Sequence, residues 1–321
     1  MACDEPGATF WLRPRPPFRL DLTVWVLRRH AGNRMDTWNG DTYWRALPCE
    51  GRRIVVAVRQ HGSAQAPRLR VTLHGTVDEP AQRRRIRTAL QRLLGLDLDL
   101  TAFYAMAARD RHLAPLAERF RGMKPPRFAG LFEALANAVA CQQVSMAAGI
   151  SILGRLAATL DAQAGTADTV AFPTPQALLR ATPQALRESG FSRQKSAYLR
   201  ATAEAVTNGM LSEDALTGLD DDALLAALSR LPGIKRWSAQ YVALRGLGRL
   251  STLPIDDIAA HRHLATWLGL PARLDAAGMH ALAMRWHPFA GVVYFHLLLL
   301  RLEAAGHLFA APQPQRDRAT I

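Results

Sequence analysis

The chain has 321 residues, 49% of them apolar, enough for two domains of ordinary size with real cores. Its 40 Lys and Arg outnumber 27 Asp and Glu, and the formal charge of +13 favours a polyanionic partner unless it serves solubility alone. The widely spaced Cys3, Cys49 and Cys141 contain no C-x-x-C pair, which excludes a cysteine zinc site and a four-cysteine iron–sulfur cluster.

The odd, sparse cysteine count suits a reducing cytoplasm, and no apolar signal core opens the chain. The most apolar run, residues 292–302, is too short to span a bilayer. It carries His296 and Arg301 and reads as a buried helix.

The first hundred or so residues read as strands. Residues 18–27, 42–47, 52–60 and 67–75 alternate apolar and polar or are β-branched, between Gly, Asn and Pro. Residues 79–96 then show helical spacing through Ile86, Leu90, Leu93 and Leu94. The arginines at 83, 84, 85 and 87 are read as the solvated face of a helix covering a sheet, with phosphate contact as the alternative.

From about residue 111 the pattern is helical throughout. Residues 128–160 form a helix pair with a break near Gln143–Ser145. Thr174, ahead of Pro175, and Ser192 are expected N-caps, and Gly209 closes the helix that Ser192 opens. Residues 220–231 lead into a Pro-Gly turn, and a last helix pair covers 275–287 and 289–305. The expected fold class is α+β. A small antiparallel sheet domain with helices over 1–110 precedes an all-helical, two-lobed body over 111–310 and a disordered tail over 311–321.

The turn is the first functional signal. In LPGIKRWSAQYVALRG, residues 231–246, Gly233 supplies the positive φ of a tight turn. The next helix begins with backbone amides that can bind a phosphate. Packing alone would also explain a Pro-Gly turn between helices. Further on, LPIDD places Asp256 and Asp257 at a helix start, where one of them is expected to cap the helix.

LPGIKRWSAQYVALRGLG followed by LPIDD resembles the helix–hairpin–helix motif and catalytic aspartate of a DNA glycosylase superfamily. FPTPQALLRATPQALRESGFSRQKSAYL, ACQQVSMAAG and RWHPFAGVVYFHLL extend the likeness, as does the strand-rich N-terminus. Within the superfamily the chain most resembles the bacterial 3-methyladenine DNA glycosylase II family, in order of parts and over nearly its whole length.

The resemblance implies a monofunctional enzyme of base excision repair. It would flip alkylated, cationic purines such as 3-methyladenine out of double-stranded DNA and hydrolyse the glycosidic bond, with no metal or organic cofactor. A monomer in the bacterial cytoplasm, held to the nucleoid by DNA, goes with that reading. Asp257 matches the catalytic position better, with Asp256 as helix cap or supporting partner; some relatives instead favour Asp256. Trp237, Tyr241 and Phe289 would wall the base pocket, Trp237 and Tyr241 sharing one helix face by their i, i+4 spacing. Core packing is the competing role for that pair.

By the same resemblance Gly233, Ile234, Lys235 and Arg236 would hold the DNA backbone. Gln143 would be the wedge that fills the gap left by the flipped base, beside a structural Gln142. Three departures stand out. Lys235 replaces a second hairpin glycine, Ile258 replaces a tyrosine after the aspartate, and Trp237 stands where lyase-active relatives carry a lysine. The alternatives are a noncatalytic DNA-binding protein, a glycosylase for oxidised or deaminated bases, and a purely structural helical protein.

Overall fold

The computed structural model describes residues 8–49, 52–75, 77, 79–161 and 169–308, so the tail after 311 and Cys3 lie outside the described residues. The N-terminal elements are β1 (Thr9–Leu12), α1 (Leu20–Arg28), β2 (Asp36–Trp38), β3 (Thr42–Cys49), β4 (Arg52–His61), β5 (Arg68–His74) and α2 (Pro80–Leu94). Then come α3 (Thr101–Ala107), α4 (Leu113–Arg119), α5 (Leu131–Ala140), α6 (Met146–Leu160), α7 (Pro175–Arg180), α8 (Pro183–Glu188), α9 (Arg193–Thr207) and α10 (Glu213–Thr217). The last are α11 (Asp221–Ser229), α12 (Arg236–Arg245), α13 (Ile258–Trp267), α14 (Ala276–Arg285) and α15 (Ala290–Ala304).

The strands form one antiparallel sheet in the order β1-β5-β4-β3-β2. Val56, Val58, Leu69, Val71 and Leu73 turn inward and are buried. Helix α2 covers that face with Ile86, Leu90, Leu93 and Leu94, and Arg83, Arg84, Arg85 and Arg87 are exposed, as a solvated helix face requires.

Residues 18–27 are not a strand. They form α1, and the reason lies in burial on two sides. Leu20, Val24 and Leu27 face the sheet core, while Leu22 and Val26 face the core built around α15. Each set is spaced as a helical stripe, but interleaved they mimic strand alternation at 20, 22, 24 and 26. The short edge strands β1 and β2 carried too few residues to register as a pattern.

The sheet and the helical body are joined by buried charge. Arg45 on β3 donates to Asp36 Oδ1 (2.7 Å) and to Glu133 Oε2 on α5 (2.6 Å), with Arg45 and Asp36 almost completely buried. Thr174 and Ser192 cap α7 and α9 through their side chains, and Gly209 follows the end of α9 with φ 75°. Helix α5 packs on α9 and α12, α12 pairs with α11 across the hairpin, and α13 and α14 lean on α15. Helix α15 contains the apolar run 292–302 and is buried along most of its length.

His296 sits in α15 at 0% exposure, in tilted contact with the Phe103 and Phe120 rings, and burial pulls its pKa from the usual 6.5 to about 4. The folded chain therefore keeps this imidazole neutral while the unfolded chain protonates it near 6.5. Its contribution is complete above that pH and is lost as pH falls towards 4, by up to about 3 kcal/mol. Urea unfolding across this window should show the decline, and His296→Leu should flatten it.

Candidate active site

The turn before α12 is shaped by a glycine on two counts. Gly233 has φ 77°, and a Cβ there would lie 2.1 Å from Cδ2 of the Tyr198 ring. Ile234 buries its side chain to hold the turn down, while Lys235 and Arg236 stay exposed. No side chain caps α12 at Lys235, which leaves the amides at its start without a capping side chain, as an anion site requires. Gln142 Nε2 donates to Gly233 O (2.8 Å) and Ser238 Oγ (2.9 Å), clamping the break between α5 and α6 onto the hairpin. Lys195 Nζ steadies the same break through Ala140 O (3.0 Å) and Gln142 O (2.7 Å). Gln143 occupies the tip, exposed and with φ 55°, beside the exposed Val144.

Between this tip, α12, α13 and α15 lies a cleft of about 660 Å³. Trp237, Tyr241, Asp256, Asp257, Gln142 and Gln143 all line it, which unites most of the residues singled out in the sequence. Trp237 and Tyr241 stack with ring centroids 5.3 Å apart and planes 26° apart. Phe289 does not join them. It precedes α15 at the helix start, where its ring packs edge-on against Phe103 at 6.0 Å in the α15 core, and Tyr294 one turn further along lines the cleft.

The aspartate pair also differs from expectation. Asp257, not Asp256, caps α13: its Oδ1 accepts from Ala260 N at 3.0 Å. Its Oδ2 accepts the Tyr294 hydroxyl at 3.0 Å. Asp256 is exposed and reaches Arg236 at 3.6 Å. The loop that presents both is fixed from beneath by Gln240, whose Oε1 accepts from Ile255 N (3.2 Å), and by His261, which contacts Ile255 O and Leu274 O. Burial, then the Asp257 charge, holds the Tyr294 phenol well above its usual range, so it stays a donor.

The cleft floor holds a cation that the sequence reading did not single out. Arg29, buried and with φ 62°, donates to the Tyr241 hydroxyl (2.6 Å) and to Asn137 Oδ1 (2.6 Å). Arg245 lies beneath the same ring, 5.9 Å from its centroid, with burial lowering its pKa to about 10. Tyr294 could have been noticed as the one hydroxyl in an apolar run, and Arg29 as a cation closing another. Neither signal says that the side chain reaches a site.

Gly233→Ala should cost about 1–3 kcal/mol, since the left-handed turn and the Tyr198 ring both resist a Cβ. Denaturant unfolding measures this, and Pro232→Ala beside it serves as the control, with a smaller loss.

Residues 136–288 match the family described as HhH-GPD superfamily base excision DNA repair protein, and residues 9–130 match the AlkA N-terminal domain. The alkylbase DNA glycosidase-like protein mag2 of Schizosaccharomyces pombe is 26% identical over 167 residues, 52% of this chain and 76% of that protein. The DNA-3-methyladenine glycosylase of Bacillus subtilis is 30% identical over 171 residues, 51% of this chain and 54% of that protein, so the match spans about half of that relative. The solved 3-methyladenine DNA-glycosylase from Archaeoglobus fulgidus shares the fold at a TM-score of 0.76 and 21% identity, over 93% of this chain and 99% of that one. The sheet thus falls within one family match and the hairpin and aspartate loop within the other, while Tyr294 of the cleft lies just beyond both, and the chain belongs to the helix–hairpin–helix superfamily of base excision DNA repair proteins, with an AlkA-type N-terminal domain.

Proposed function

We propose that the protein is a monofunctional DNA glycosylase that flips an alkylated purine into the cleft and hydrolyses its N-glycosidic bond with Asp257. The carrying observation is the placement of Asp257, capping α13 with one oxygen and held by Tyr294 through the other, at the wall of an aromatic cleft. The bond electrons leave with the base, and C1′ becomes oxocarbenium-like. A fixed carboxylate beside it stabilises that charge, and water then adds to C1′.

Trp237, backed by the stacked Tyr241 ring, would offer an aromatic wall to the base, and Gln143 at the exposed tip would fill the gap in the duplex. Gly233, Ile234, Lys235 and Arg236 would carry the DNA backbone, with Gln142 as the strut beneath them. The partner would be double-stranded DNA in the cytoplasm, bound by a monomer. Residues 1–110 would act as a support domain whose reach to the pocket is Arg29. Among the described residues no lysine lines the cleft, which supports hydrolysis without a lyase step.

One observation favours a second reading, a deaminated base with a carbonyl acceptor. Arg29, Arg262 and Arg301 outnumber Asp256 and Asp257 around the cleft. That charge opposes a cationic purine and suits a neutral one.

Base release from methylated and from inosine-containing duplexes tests the reading. Asp257→Asn should lower release about a hundredfold or more while duplex binding persists, and Asp256→Asn should stay within about threefold. If Asp256→Asn alone collapses, the catalytic role moves one residue back. If the cationic wall dominates, inosine is the better substrate. Borohydride added during turnover should trap no covalent protein–DNA adduct; a trapped adduct would mean a Schiff base and a lyase.

A further inference from the structure

We infer that the outward face of the N-terminal sheet is a second nucleic-acid site, a platform for single-stranded DNA separate from the cleft. The face opposite the sheet core carries Trp11, Arg59, Arg68 and Arg70. All are exposed, Trp11 at 46%, and Trp11 is absent from every buried cluster. β1 is also the sheet edge opposite β2, whose Thr37 contacts Thr169 of the helical body.

The register sets these side chains in a row. Trp11 pairs with Arg70, and Arg70 pairs with Arg59 on the next strand. Neighbouring strands stand about 4.8 Å apart, so an indole and two guanidinium groups succeed one another across the sheet. Arg68 lies over the Trp11 ring at 5.5 Å, and His61 meets the same ring edge-on at 5.2 Å.

Folding alone gives no reason for this row. Like charges directly opposite on neighbouring strands are destabilising, and an exposed indole on an edge strand contributes little burial. Asp41 relieves Arg59, but among the described residues neither Arg68 nor Arg70 has a carboxylate partner. An anionic chain crossing the strands would neutralise both arginines. The indole decides which chain. Duplex DNA hides its base faces, whereas an unpaired base can stack on Trp11 while its phosphates meet the arginines. An acidic peptide would satisfy the arginines but leave the ring unused.

The test is fluorescence anisotropy of a labelled oligo(dT) of about 16 nucleotides, a length within reach of one such platform. Thymine contains no purine lesion, so the cleft chemistry is not engaged. Arg68→Gln/Arg70→Gln should weaken binding about tenfold and reduce the log–log salt slope by about 1.4, for two lost phosphate contacts. Trp11→Ala should weaken it by a similar factor, and Trp11→Phe should restore most of it. Thermal unfolding verifies that each variant is folded. Base release from methylated duplex, measured on the same proteins, reports on the cleft independently and should not change. Oligo(dT) affinity within about twofold of the parent in both the arginine and the Trp11→Ala variants would overturn the site. So would a loss equal for duplex and single strand, a loss seen only with Lys235→Glu/Arg236→Glu in the hairpin, or competition by poly-glutamate as effective as by oligo(dT).

Discussion

Arg45 is the buried charge on which the arrangement of sheet and helices depends. It leaves β3, passes through the interior and meets Asp36 and Glu133, so the sheet is tied to α5 by a paired ion triad rather than by apolar contact alone. One turn beyond Glu133, Asn137 accepts from Arg29, which also holds the Tyr241 hydroxyl. The same helix thus receives a cation from the sheet and a cation from the end of α1, and it passes the second to the cleft. Truncating a member of such a triad leaves unpaired buried charge, a far greater loss than the pair itself contributes.

The cleft inherits its order from that frame. Gln142 leaves the end of α5 and grips the hairpin, so the break between α5 and α6 and the start of α12 form one unit. Gln240 of α12 reaches the backbone ahead of Asp257, so the aspartate loop is fixed to the helix that carries Trp237 and Tyr241. Tyr294 of α15 fixes the carboxylate from the other side. Carboxylate and stacked rings are therefore set before any DNA arrives, which is what electrostatic stabilisation of a developing cation needs.

Much of this was legible in the sequence because it rests on local chemistry. The Pro-Gly turn, the caps at Thr174 and Ser192, the helix period of α2 and the carboxylates after Pro254 each announce themselves within a few residues. What failed did so for reasons of tertiary structure. Two interleaved buried stripes made α1 look like a strand. Asp256 and Asp257 are alike in sequence, and only the turn after Pro254, where Asp257 N bonds Pro254 O at 3.1 Å, decides which one caps. Phe289 and Tyr294 lie in one aromatic, apolar stretch, and the pitch of α15 turns the second, not the first, to the cleft. Arg29 is 212 residues from Tyr241 along the chain, beyond any local pattern.

In the proposed reaction the Asp257 carboxylate works in the orientation that Tyr294 imposes. Single-turnover base release by Tyr294→Phe, with duplex affinity measured alongside, tests it most directly. The rate should fall about tenfold or more below the parent at unchanged affinity, because a hydrogen bond to a charged group is lost while the ring remains. An unchanged rate at saturating protein would contradict it and would separate the carboxylate's position from its function.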